Sequence, residues 1–407
     1  MSFLRTATTG RLLTALGAVV AAIIAGAAVA VAATSGGTVP KRQPLASAVH
    51  QALKAPAVSG ITARVSFTNN LIDSAEIQGS DPLLKGGTGR LWISSAKHEL
   101  RLEVQGENGD APVVVRNGSF WAYDPSSRTV YRGTLPAQSA SSDAQHSKRH
   151  DGIPSLAQVQ SALNRIARRT QLSGAIPGDI AGRPAYTVRV SPTQSGGLLG
   201  AVELGWDAVR GVPLRFEVLA RGDSTPVLEL TATNVSFGNV PASTFTISPP
   251  SGAKVVHVSA PSSAAAERHG ARSGAKHHEV TGVAAVSHAL PFKLAAPSSV
   301  GGLHRNSVAL LHGGWHPVAL VSYGQGLGGV AVLEQASARS SGLAPGRSGG
   351  GDGQGLSIPT VSINGVSGQE LDTALGTVVE FSTGGVSYTV IGSVPPVAAE
   401  AAARSIG

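Results

Sequence analysis

A chain of 407 residues with 42% apolar side chains has material for two folded units, while 14% charged and 4% aromatic residues beside 51 Gly and 24 Pro suit short strands and turns better than long helices. The absence of cysteine excludes disulfides, thiolate metal sites, cysteine nucleophiles and a lipid anchored on cysteine. The net charge of +8 is spread through strands and linkers without a basic-aromatic module, which argues against nucleic acid and leaves a solvated surface or weak attraction to anionic headgroups. Residues 1–11 read as a cytoplasmic n-region, with Arg5 and Arg11 before an uncharged run, Leu12 to Ala33, long enough to cross a bilayer as a helix. Residues 12–33 are therefore a signal peptide or a transmembrane anchor. Ala30-Val31-Ala32-Ala33 offers small residues for cleavage, and the length of the run suits an anchor. Either outcome places the chain beyond Ala33 outside the cytoplasm, as a single-pass protein of the cell membrane or as a secreted one.

Residues 34–44 form a proline-bounded linker. Leu45, Val49 and Leu53 recur at helical spacing, so 45–54 is expected to be a short helix stopped by Pro56. The period then changes to two. Ile61, Ala63, Val65 and Phe67 alternate with polar residues, as do Leu100, Leu102 and Val104, with Val113 and Val115 following. The turn sequences Glu107-Asn108-Gly109-Asp110, Asn117-Gly118 and Asp124-Pro125-Ser126-Ser127 separate them, which predicts an antiparallel meander.

After a Ser/Ala/His/Lys-rich loop (137–152), Ser155-Leu156-Ala157-Gln158 is a capping box opening a helix. Leu156, Val159, Leu163 and Ile166 give that helix one apolar stripe, and Arg165, Arg168 and Arg169 gather near its C-terminus. A second meander comes next, through Tyr186–Val190, Val202–Trp206, Leu214–Leu219 and Val227–Ala232. Residues 259–290, with His269, His277, His278 and His288, read as a disordered linker. The last unit, 291–407, is expected to be a small β-rich α+β domain interrupted by a Gly/Ser-rich loop (337–355) and closed by an Ala-rich helix after Pro395-Pro396.

Three stretches of the first unit carry a family likeness. Gly89-Arg90-Leu91-Trp92-Ile93 precedes the strand Leu100–Val104. Asn117-Gly118-Ser119-Phe120-Trp121-Ala122-Tyr123-Asp124-Pro125 looks like a hairpin of the form Asp-Gly-x-x-Leu-Trp-x-Tyr-x-Pro. Phe245-Thr246-Ile247-Ser248-Pro249-Pro250-Ser251-Gly252-Ala253 looks like a closing strand of the form Phe-x-x-x-Pro-Pro-x-Gly. In this order they make residues 45–258 resemble the LolA/RseB superfamily of periplasmic lipoprotein carriers and sigma-factor regulators. The resemblance implies a mainly β fold, an antiparallel half-barrel whose concave apolar face is covered by the helices at 45–54 and 155–170. It implies a site for an acyl chain or a lipoprotein, with no cofactor, each buried methylene contributing about 0.8 kcal/mol. The wall would be Leu100, Leu102, Val104, Val113, Val115, Trp121, Tyr123, Leu204, Trp206, Phe216, Val218, Leu228 and Leu230; core packing is the alternative for each.

The carriers place an arginine soon after the Leu-Trp strand, where it bonds the lid. Here Ser94 and Ser95 come after Leu91-Trp92-Ile93, so that latch is unmatched. The two-unit layout also resembles the sigma-factor regulators, which implies an anti-sigma factor, or an ABC transporter, as an alternative membrane partner. Gly324-x-Gly326-x-x-Gly329 fits the dinucleotide fingerprint formally, but Val330-Ala331-Val332-Leu333 after it reads as the return strand of a hairpin. The linker histidines match no zinc spacing. Acidic residues fall mostly in turns or on outward strand positions, and no nucleophile elbow occurs, so an enzyme is not expected. Asn117-Gly118-Ser119 and Asn234-Val235-Ser236 match glycosylation sequons by chance.

Overall fold

The computed structural model describes residues 39–72, 86–106, 109–135, 154–193, 196–257, 280–313, 316–337 and 358–406. The expected anchor (12–33), the loop at 137–152, the Gly/Ser-rich loop save for Ser337, and His269, His277 and His278 lie outside them. Among the described residues no helix is long and apolar enough to cross a membrane.

The first unit opens with α1 (Leu45–Lys54), on the residues that the helical spacing predicts. An antiparallel meander comes after it: β1 (Gly60–Asn69), β2 (Gly86–Ser94), β3 (Glu99–Val104), β4 (Ala111–Arg116), β5 (Ser119–Asp124) and β6 (Thr129–Thr134). The turn chemistry is local. Asn117 and Gly118 take positive φ between β4 and β5, as a tight hairpin requires. The Asp124 carboxylate accepts from the amides of Ser126 and Ser127 before β6.

Next comes α2 (Leu156–Ala167), started by the expected box, in which Ser155 and Gln158 satisfy each other's backbone amides. The chain returns through β7 (Thr170–Leu172), β8 (Ile176–Ile180), β9 (Arg183–Pro192), β10 (Leu199–Asp207), β11 (Pro213–Ala220) and β12 (Pro226–Phe237). Because β12 pairs antiparallel with β1, the two meanders become one sheet. Finally β13 (Lys254–His257) joins β6 in parallel, which makes this a mixed sheet of 13 strands. Among the described residues its end strands, β13 and β7, do not pair, so the sheet stays open as a half-barrel rather than closing.

The Phe245–Ala253 segment, expected as a closing strand, is instead a strap across the outer face. Pro249 and Pro250 have no amide to give a ladder, and regular pairing resumes only at Lys254. The strap is pinned where Phe245, in a 3-10 turn (Ala242–Phe245), is 1% exposed. There Arg101, stacked 5.1 Å from the Trp92 ring centroid, donates from Nη1 to the Thr244 carbonyl at 2.9 Å.

The second unit starts earlier than its composition suggests. Thr281 bridges Ala309, and α3 (Val283–Ala289) buries Val286 completely, so part of the expected linker is folded and His288 is helical. Val280, Val283 and Val286 hold a three-residue apolar spacing that the surrounding Ala, Ser and His obscure. Then comes an antiparallel sheet of 8 strands: β14 (Ser299–Val300), β15 (Leu303–Gly313), β16 (His316–Tyr323), β17 (Val330–Ala336), β18 (Thr360–Ile363), β19 (Val366–Thr373), β20 (Gly376–Thr383) and β21 (Val386–Gly392). The expected return strand after Gly324–Gly329 is β17, so the glycines make a hairpin and no phosphate loop. The closing helix, α4 (Pro396–Arg404), starts on proline at its first turn and lays Ala399, Ala402 and Ala403 into the core.

The units touch at strand ends. Leu198 donates its amide to the Ser393 carbonyl at 2.9 Å, and Ala374 donates to the Leu71 carbonyl at 3.0 Å. Ile72 and Leu371 bury one another beside these bonds. Gly197, at φ +75°, lies so close to Leu327 that a Cβ would stand 2.7 Å from the Leu327 Cβ.

Replacing Phe245 with Ala empties a fully buried aromatic site. The expected cost is about 3–5 kcal/mol, read as a lower midpoint in urea unfolding. A shift under about 1 kcal/mol would mean that the strap does not depend on this residue.

Candidate functional site

Register decides which side chains share a face, because strand side chains alternate and directly paired residues lie side by side. One row on the inner face is Ala63, Leu91, Leu102, Val113 and Ala122, across β1 to β5. Its neighbour is Ile61, Ile93, Leu100, Val115 and Phe120. On the other half, Phe67, Leu230, Phe216, Leu204 and Val188 continue the same face across β1, β12, β11, β10 and β9. Leu228 and Val218 form the next row with Val202. The sheet therefore presents one apolar inner surface from β5 to β9.

Of the residues singled out from sequence, Leu100, Leu102, Val104, Val113, Val115 and Leu230 are buried in the cluster on this face. Leu204, Phe216, Val218 and Leu228 extend it, and Trp206 lies beside Tyr186 with ring centroids 6.0 Å apart. Trp121 and Tyr123 are not with them. Trp121 pairs with Val114 and Arg132, on the outer face, and Tyr123, two residues on, faces the same way. The inward positions of β5 are Phe120 and Ala122. The row holding Leu102, Val113 and Tyr131 leaves room for an alanine, and a strand offset by one residue exchanges its faces.

The cover over the β9–β10 end of the inner face is α1. Ala48 packs with Tyr186, Val188, Trp206 and Ala208, and Leu45, Val49 and Ala52 complete the contact. Three polar or close contacts hold it. The Tyr186 hydroxyl donates to the Lys41 carbonyl at 2.6 Å, and burial pushes its phenol up, which keeps the proton that makes the bond. Gln51 Nε2 lies 3.5 Å from the Ala208 carbonyl. Gly211 has φ +66°, and a Cβ there would lie 2.4 Å from the Ala52 carbonyl oxygen, so the helix end rests directly on the Asp207–Gly211 turn. This cover needs no arginine after the Leu-Trp strand.

That turn is stiff because Asp207 is wholly buried and fully used. Its carboxylate accepts from the Val209 and Arg210 amides at 2.8 Å and from Arg183 Nε at 2.5 Å. The Arg183 and Arg210 guanidiniums both lie over the Phe237 ring, at 4.9 and 4.4 Å from its centroid. In the sequence, Trp206-Asp207-Ala208-Val209-Arg210-Gly211 reads as a polar turn between two strands and marks Asp207 no further. Its partner Arg183 is far along the chain, and only the 207/183 approach across β9 and β10 makes it an anchor.

Between the two halves of the sheet the inner face is nearly closed. A cavity of about 30 Å³ lies between Ile61, Leu91, Ile93, Leu214, Phe216 and Leu230. That is room for water, which needs about 10–15 Å³ by the same measure, and none for an acyl chain. Toward β10 the surface opens. Leu204 is 37% exposed beside half-buried Phe216, and on α2, which packs against α1, Leu156 and Ile166 are 45% and 48% exposed. Apolar surface thus remains uncovered at the edge of the lid.

Acidic residues are not all outward. Glu99, Asp124, Asp207 and Glu334 are buried. Glu203, Glu217 and Glu229 stand in one cross-strand row on the outer face, where burial first and the flanking glutamates after it push Glu217 up, against the pull of Arg215. In the second unit Glu334 accepts from the Ala295 amide at 2.8 Å through Oε2, while Oε1 has no partner among the described residues. Burial pushes its carboxyl up to about 7, and burial with the nearby Glu334 pushes Tyr323 up to about 12. Glu334 is an alternating-strand residue whose neighbours are Ala319 and Tyr388, so the small Ala319 makes room for it on the inward side.

No protein-family model matches the sequence, and no curated protein matches it. Solved structures similar to the chain over most of its length include the MucA/MucB complex of Pseudomonas aeruginosa, at 16% identity and a TM-score of 0.37, covering 88% of this chain and 94% of that one. MucB alone is similar at 17% identity and 0.34, over 88% and 94%. A LolA superfamily protein from Nitrosomonas europaea is similar at 11% and 0.21, over 50% of this chain and 98% of its own. The likeness is one of chain path, too distant to carry residues or activities across.

These contacts have two measurable consequences. Gly211→Ala adds a Cβ into the Ala52 carbonyl at a positive φ, so proteolysis or amide exchange of α1 is expected to speed up while the inner strands keep their protection. Unchanged exchange in α1 would show that the turn does not hold it. For Glu334, the folded value near 7 lies above the ordinary 4.5, so the native state keeps a proton that the unfolded chain has lost. Its contribution to stability is complete below pH 4.5 and is lost as pH rises through about 7. Thermal midpoints should fall over that range, and Glu334→Gln should flatten the fall.

Proposed function

We propose that this is an extracytoplasmic binding protein that takes an acyl chain, or the lipid-bearing end of a lipoprotein, on the inner face of its first unit by displacing α1. The observation that carries this reading is the unbroken apolar face from β5 to β9, whose β9–β10 end is covered by a single short helix and left partly exposed at Leu204 and Phe216. At that end α1, with two apolar residues left exposed on the adjoining α2, is a small cover. Because α1 sits on Tyr186, Val188 and Trp206, its movement is part of binding at that end: the ligand exchanges its methylenes for the surface that α1 vacates, at about 0.8 kcal/mol per CH₂. Residues 12–33, as anchor or signal, would keep this site at the outer side of a membrane, where acyl chains are presented.

A second reading makes the chain a scaffold or sensor gripping a membrane partner, an anti-sigma factor or an ABC transporter. It is favoured by the bonds at Leu198–Ser393 and Leu71–Ala374, which fix one unit against the other. Binding of such a partner's extracytoplasmic segment by protein that takes up no fatty acid would select it.

The test of the first reading uses full-length protein and a fluorescent fatty acid. Leu204→Asp, at a position 37% exposed, and Phe216→Asp, in variants whose circular dichroism matches the wild type, should each weaken uptake by about tenfold or more. Wild-type protein that takes up none, and copurifies with no lipid by native mass spectrometry, would overturn the proposal.

A further inference from the structure

The outer face of the first unit holds a second concavity, unrelated to α1 and separated from the inner face by the thickness of the sheet. Its floor is β4, β5 and β6; its wall is the strap from Phe245 to Pro249; and its end is His257 on β13. The groove encloses about 800 Å³, within the range of small-ligand sites. It is built in advance. Phe245 and the bond from Arg101 pin the strap at one end, the parallel pairing of β13 with β6 pins it at the other, and two prolines stiffen the span between.

The lining has a definite chemistry. Arg116, Arg132 and His257 contribute every ionisable group among its described residues, and no carboxylate lines it. Arg116 is oriented from behind by Glu99, which takes its Nε at 2.8 Å and leaves the rest of the guanidinium for the groove. Arg132 shares a cross-strand row with Trp121, so a cation and a half-buried indole lie side by side on the floor. Hydroxyls from Ser119, Thr134, Thr246 and Ser248 complete the lining.

We propose that this groove binds a sugar carrying an anionic group, a carboxylate or a phosphate. A pyranose ring stacks its C–H face on an indole, hydroxyls meet hydroxyls, and a planar guanidinium holds the oxyanion by paired hydrogen bonds. An extended acidic peptide fits less well. β4 and β5 are hydrogen-bonded on both sides and β13 covers β6 along Thr129–Arg132, so the free edge that faces the groove is no longer than Gly133-Thr134, too short for a peptide backbone to pair along. The inward reading of Trp121 failed because this residue serves the opposite face.

The test is calorimetric titration of full-length protein with trigalacturonate, galactose 1-phosphate, neutral maltotriose, inorganic phosphate and a tetraglutamate peptide. At least one of the two anionic sugars is expected to bind, about tenfold or more tighter than maltotriose, phosphate or peptide. Arg132→Ala, at an exposed position that leaves the fold intact, should weaken that binding by about tenfold, and Arg132→Lys should recover only part of it. Fatty-acid uptake should be unchanged in both variants, which keeps this outcome separate from that of the inner face. Equal binding of phosphate and anionic sugar, tighter binding of the peptide, or no binding of either anionic sugar would each overturn the proposal.

Discussion

The constraint on which the first unit turns is that a thirteen-stranded sheet left open buries most of its apolar inner face between its two halves but not the β9–β10 end. Strands that close into a barrel remove the problem by packing their interior; here β13 and β7 stay apart, and the chain must bring something else to the inner surface. It brings α1. Almost everything peculiar about residues 39–54 and 207–211 comes from fitting that helix. Tyr186 reaches back to the Lys41 carbonyl, Asp207 gathers two amides and Arg183 into a rigid turn, and Gly211 is small enough to let Ala52 rest on it.

A cover held this way suits displacement. Its apolar contact is made with alanines as much as with large side chains, so α1 gives up little dispersion energy when it leaves. Its polar contacts are single hydrogen bonds, each of about 1 kcal/mol net. The strands beneath are the opposite case, with Leu100, Leu102 and Val104 at most 1% exposed and laddered on both sides. Stability is therefore graded from a firm wall to a loosely held lid, the arrangement expected where binding and opening are one event.

How much of this was legible in the sequence varied with the range of the signal. Local signals were read well: α1 from Leu45, Val49 and Leu53, the capping box at Ser155, the Asn117-Gly118 hairpin and the glycine hairpin after Tyr323 all stand where their chemistry predicts. Face assignments held wherever several strands agreed, as for Leu100 to Val104. They failed at Trp121 and Tyr123, because a six-residue strand with large residues at both parities does not declare its inside. The prolines at 249 and 250 explain why the expected closing strand became a strap. What could not be read was any contact made at long range: the Asp207–Arg183 pair, the fit of Gly211 under Ala52, the buried Glu334, and the groove formed only when the strap recrosses β4 to β6. The start of the second unit at Val280 was hidden by composition, since an Ala/His/Ser background outweighed three correctly spaced valines.

The central claim is that α1 moves aside when the inner face is occupied. Hydrogen–deuterium exchange on the full-length protein with and without palmitate measures it directly. The amides of residues 48–54 should lose protection as palmitate saturates the protein, while β1 to β4 stay protected. Palmitate bound with the protection of α1 unchanged would contradict the account.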